Sequence, residues 1–202
     1  MKPFLVLVLL VPALLLVSCS RDTEKINTAA IDKAVSQLET TQDKKEYLLA
    51  IRADDQAVHQ GNRGAYLKVQ YGENSPEYQN HVDEVATVDK RNLAKIQSYL
   101  ATHGYPEWLK VGYEAAQTPF QVIQHSTDTD LRNSYFEQFY VAYRKGDLAV
   151  DNLALYLKRT HEQVTGESMS MEGSYTVEEE LDTLVKALQL TEAQRRAEKA
   201  TF

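Results

Sequence analysis

The chain has 202 residues, 25% of them charged and 43% hydrophobic, with 29 acidic against 22 basic side chains and a net charge of −7. That excess of carboxylates is repelled by phosphate backbones and anionic headgroups, so no nucleic-acid partner is expected, and any membrane attachment must be other than electrostatic. A chain of this size buries a single-domain core without cross-links, and its one cysteine can form no internal disulfide.

Lys2 precedes an apolar run from Phe4 to Val17 broken only by Pro12. A membrane span takes about 20 apolar residues to cross roughly 30 Å of hydrocarbon, so this run is too short and has the length of a signal-peptide core. Leu16-Val17-Ser18-Cys19 follows at once and resembles the bacterial lipobox at all four positions. Residues 1–18 are therefore expected to be a cleaved lipoprotein signal peptide, with a diacylglyceryl group on Cys19 as the link to the bilayer. At about 0.8 kcal/mol per buried CH2, two acyl chains anchor a protein where one would be marginal. Ser20 in place of Asp after the cysteine points to the outer membrane, with the domain in the periplasm or at the cell surface. Cleavage removes Lys2, the sole charge before Cys19, and takes the net charge from −7 to −8.

Residues 19–28 read as the lipidated N-terminus and a short tether, and 29–202 as one helical domain. Apolar residues keep helical spacing from Ile26 to about Leu38 and from Lys44 through Val58. Gly61 and Gly64 loosen the chain, and Tyr71 to Tyr78 is expected to be a loop. Periodicity resumes with Val82, Val85, Val88, Leu93, Ile96 and Leu100 until Gly104 and Pro106 stop it. Thr118-Pro119 reads as an N-cap with proline in the first helical position, starting a helix from Phe120 to His125. Leu131 to Tyr143 carries a broad apolar face whose aromatic residues suit a core helix better than a sugar-stacking platform. A helix from Asp147 to Val164 closes at Gly166, and 167–175 has no period. Thr176 with Glu179 and Thr191 with Gln194 have capping-box spacing, placing C-terminal helices over 176–200, the last polar and frayed. No stretch alternates with period two. The fold class is all-α, an irregular multi-helix bundle.

Phosphate-binding glycine loops, His-Glu-x-x-His and Gly-x-Ser-x-Gly are absent, and no cysteine remains for catalysis or zinc. What stands out is Asp55-Gln56 with His59, Asp89 with Asn92, Gln124-His125, and Arg159. Together with Gly104-Tyr105-Pro106, Val111-Gly112 and Leu157-x-Arg159, these residues resemble the uncharacterised bacterial family called domain of unknown function sixty-six twenty-four, over roughly residues 45–166. That family's pattern has arginine where His59 stands, tryptophan at Tyr105 and aspartate at Lys158, and its Gln-x-Tyr-Gly stretch does not follow Gly166 here. The resemblance implies a set of positions, not a reaction.

Asp89 and Asn92 lie one helical turn apart and face the same way. His125 could act as a general acid or base if Asp55 or Asp89 oriented it, and histidine with two carboxylates could hold a divalent metal. No other cofactor is expected. Gln56, His59, Asn92, Gln124 and Arg159 are candidate ligand-binding residues beside the candidate catalytic His125, Asp55 and Asp89. The plainer alternative is structural, with Asp89 and Asn92 bridging helices, Gln124 satisfying a backbone group and His125 capped in the core. His59, His81, His103 and His125 recur every 22 residues, but their flanks do not repeat. The function expected is a binding or interaction module, for an envelope protein or a small ligand, with a hydrolase-like enzyme as the alternative.

Overall fold

A computed structural model describes residues 26–171 and 173–201. Cys19 and the expected signal peptide lie outside them, as does most of the tether. The described residues form ten α-helices and no strand: α1 Thr28–Ser36, α2 Thr41–His59, α3 Arg63–Tyr71, α4 Pro76–His103, α5 Trp108–Val111, α6 Tyr113–Ile123, α7 Thr129–Arg144, α8 Val150–Thr165, α9 Val177–Ala187 and α10 Thr191–Thr201. The all-α class is as the periodicity implies. None of these helices is long and apolar enough to cross a membrane.

Local chemistry explains the boundaries. The Thr40 hydroxyl accepts from the Asp43 amide while the Asp43 carboxylate accepts from the Thr40 amide, a reciprocal cap that starts α2. Ser75 caps α4 with Pro76 in its first turn, where a missing N–H costs nothing. The expected loop over 71–78 therefore shrinks to 72–75. The two glycines after α2 do not prevent α3, which holds Gly64 within it. At Gly112, with φ +88°, the chain turns from α5 into α6, a conformation open to glycine at little cost.

Three sequence expectations are corrected. Pro119 does not begin a helix but sits inside α6, and Thr118 is fully buried with its hydroxyl donating to the Glu114 carbonyl. The earlier glycine starts the helix, and burial of Ala115, Ala116, Phe120 and Val122 outweighs the one backbone bond the proline removes. Asp147 lies before α8 rather than at its start, because its buried carboxylate accepts from the Trp108 amide at 2.9 Å. The second capping box does not form. Gln194 donates instead to the Tyr140 hydroxyl and Asp182, and α10 packs against α7 with Ala197 fully buried.

α2 lies at the centre of the N-terminal half, packed on both α4 and α6, while α1 and α3 lean on α4. α7 packs on α8 and α10, and α8 on α9. One apolar core runs through both halves, from Leu48, Ile51 and Ile96 to Phe136, Phe139, Leu157 and Leu184. Phe136, Phe139 and Tyr140 place the aromatic face of α7 in that core. The packing of α2 between α4 and α6 positions the polar cluster described next.

A histidine and carboxylate cluster on helix α2

Asp55 and His59 stand four residues apart on α2, so both side chains share one face. α4 brings Asp89 to that face, and the turn after α6 brings His125. Nε2 of His59 lies 2.7 Å from Oδ1 of Asp89, a charge-assisted hydrogen bond between half-buried groups. The His59 and His125 rings are stacked, with centroids 3.8 Å apart and planes 2° from parallel. Nε2 of His125 is 3.6 Å from Oδ1 of Asp55.

Asp55 is 4% exposed, and its Oδ1 has no hydrogen-bond partner. A buried carboxylate oxygen without a donor is costly to hold. Asp55, His59 and His125 offer one ligand atom each, all within 4.8 Å of one another. Two imidazole nitrogens and one carboxylate oxygen suit a divalent transition metal rather than calcium or magnesium. Asp89 is outside this trio. Its bond to His59 is of the outer-carboxylate kind that fixes the orientation of a ligating imidazole. Parallel stacking places a cation that lies in the plane of one ring out of the plane of the other, so binding through both requires one ring to turn.

Arg132 of α7 builds the His125 end. Its guanidinium is fully buried and donates to the carbonyls of Gln124 at 2.6 Å, Ser126 at 3.4 Å and Tyr156 at 2.7 Å, and to the Thr160 hydroxyl at 2.8 Å. It also lies 4.5 Å from the centre of the Tyr156 ring. The first two carbonyls flank His125, so this one side chain fixes the turn that carries the imidazole. Burial lowers the Arg132 pKa, Tyr156 opposes the shift and the positive Arg159 adds to it, yet an arginine starts high enough to stay charged.

The other candidates do not converge on the cluster. Gln56 accepts from Gln60 along the surface of α2. Asn92 is fully buried and donates to the Ile51 carbonyl at 3.4 Å, tying α4 to α2. Gln124 accepts from Arg159 at 2.5 Å on the exposed side. Lys158 pairs with Glu180 at 2.7 Å and joins α8 to α9. The expected approach of Asp55 to His125 is present, while the third candidate ligand is a second imidazole, His59, in place of the carboxylate of Asp89. The Asp55-x-x-x-His59 spacing was a signal for it, since that interval always shares a helix face. Arg132 was missed because it sits among the apolar residues of α7, where a charged side chain at a core position is itself the signal. A cavity of about 650 Å3 lined by Tyr105, Trp108 and Asp147 lies elsewhere, between α5 and α7, and holds none of these residues.

Compared with protein-family models, with curated proteins and with solved structures, the chain matches none.

Proposed function

We propose that this chain is a lipid-anchored envelope protein whose helical domain is a binding module for a divalent transition-metal cation, held by Asp55, His59 and His125. The observation that carries the reading is the buried Oδ1 of Asp55, which lacks any donor and faces an imidazole at 3.6 Å. A cation there would give that oxygen a partner, and Asp89 would hold His59 in place from behind. Zinc, cobalt(II) and nickel(II) fit a donor set of two imidazoles and one carboxylate. The lipobox ending at Cys19 supports the anchor, and the resemblance to the uncharacterised family marks Asp55 and His125 as positions of interest without naming a reaction.

A hydrolase-like activity remains the second reading. Three protein ligands leave a coordination position open, and a water there could be activated for attack. The side chains of His59 and His125 are 26% and 22% exposed, so small molecules can reach the cluster.

Calorimetric titration of the mature chain with zinc and cobalt(II) tests the proposal. It expects one equivalent bound, lost in Asp55→Ala and His125→Ala proteins that keep their helical circular dichroism. Equal binding by those variants overturns it. Turnover of an activated ester that depends on zinc would add the hydrolase reading.

A further inference from the structure

His59 and Asp89 also line a trough of about 410 Å3 between the end of α2, α3 and α4. Its walls are apolar, built by Val58, Val82, Val85 and Ala86, with Gly61 and Gly64 letting the backbone come close. That volume lies within the range of small-molecule sites, roughly 300–1,000 Å3. His81 lines the same trough at 7% exposure, its Nδ1 without a hydrogen bond but 4.0 Å from the Glu84 carboxylate. The helix beside it is poorly anchored. α3 has nine residues and buries none of them, while Tyr66, Val69 and Tyr71 are exposed. A helix this short holds its shape through packing rather than by itself, and α3 meets the trough only at Gly64, in its first turn.

We infer that this trough binds a small aliphatic amine, its alkyl chain along Val58, Val82, Val85 and Ala86 and its ammonium at the Asp89 carboxylate. Among the described residues, Asp89 is the one carboxylate that lines the trough, the other polar residues there being His59, His81 and Tyr78. Asp89 commits Oδ1 to His59, and a carboxylate has acceptor sites for more than one donor. An ammonium carries three donors and no acceptor, the complement of an acceptor-only group. The chain's net charge of −7 raises the local concentration of cations and opposes organic anions. Asp55 and His125 do not line the trough, so the site is separate from the cation site even though His59 borders both.

The test is calorimetry on the complete mature chain, without the lipid and with a chelator present, using n-hexylammonium, hexanoate and hexanol as probes. Hexylammonium should bind at least about tenfold more tightly than either, the worth of one charge-assisted hydrogen bond. Ala86→Phe, at an exposed position on α4, should fill the trough and abolish binding while helicity and zinc binding persist. Asp89→Asn should remove the preference for the ammonium. Equal affinity for the three probes, or no binding of hexylammonium, overturns the inference, as does undiminished binding by the Ala86→Phe protein. Because the chelator removes metal, failure of the cation reading leaves this result unaffected, and failure here leaves the zinc titration unaffected.

Discussion

The imidazoles of His59 and His125 lie face to face, 3.8 Å between centroids, with one carboxylate beside each ring: Asp89 at 2.7 Å and Asp55 at 3.6 Å. The two carboxylates serve different ends. Asp89 orients an imidazole, whereas Asp55 brings a buried oxygen that has no donor of its own. Asp89→Asn is therefore expected to weaken zinc binding by about 10- to 100-fold, the usual cost of losing an outer-shell partner. Asp55→Asn removes a ligand and should abolish binding, yet leave the metal-free protein as stable as before or up to about 1 kcal/mol more so, since the oxygen it alters has no hydrogen-bond donor to lose. Zinc titrations paired with urea melts check both, and a large loss of metal-free stability in Asp55→Asn would show that the carboxylate is structural.

Arg132 offers a second test, on the scaffold. Arg132→Met deletes five donor groups and leaves the carbonyls of Gln124 and Tyr156 without this partner. The Tyr156 carbonyl keeps the Thr160 hydroxyl as a donor at 2.7 Å, so with the Gln124 carbonyl left unsatisfied the loss should be about 1–3 kcal/mol. Equilibrium urea unfolding measures it. A variant as stable as the parent would mean that the cost of burying the charge cancels its hydrogen bonds.

Alkali should destabilise the protein through its tyrosines. Burial raises the pKa of Tyr99 to about 12, and burial with the nearby charge of Asp32 does the same for Tyr47. Burial likewise raises Tyr105 and Tyr156. A folded-state pKa above the unfolded value of about 10 favours the neutral form, so the stability it brings is complete below pH 10. It is lost as pH rises from about 10 to about 12. Thermal melts across this range should show a falling midpoint, less steep in Tyr99→Phe.

The anchoring reading makes its own prediction. Cys19→Ala should move the protein out of the membrane fraction and abolish incorporation of labelled fatty acid. Continued fractionation with membranes would remove the lipid from the account.

Helical spacing made α4 and α7 legible, because each repeats apolar residues over several turns. α3 was not legible. It buries nothing, so its sequence carries no apolar stripe to read. α6 was misplaced because Pro119 suits a first turn far better than a helix interior, and only the burial around it, invisible in one sequence, overrides that preference. The cluster divides the same way. Asp55 and His59 share a face by spacing alone, but the approach of His125 depends on how α2 and α6 pack and on the turn that Arg132 braces. Those are long-range facts that no local pattern encodes.

The central claim is the cation at Asp55, His59 and His125, and diffraction from crystals grown with zinc, recorded at the zinc absorption edge, tests it most directly. The account predicts one anomalous peak about 2.0–2.2 Å from a nitrogen of each imidazole and from an Asp55 oxygen, with one ring turned out of the stack and Asp89 still bonded to His59. Crystals with zinc in the mother liquor, no peak at the cluster, and the two rings still stacked at 3.8 Å would contradict it.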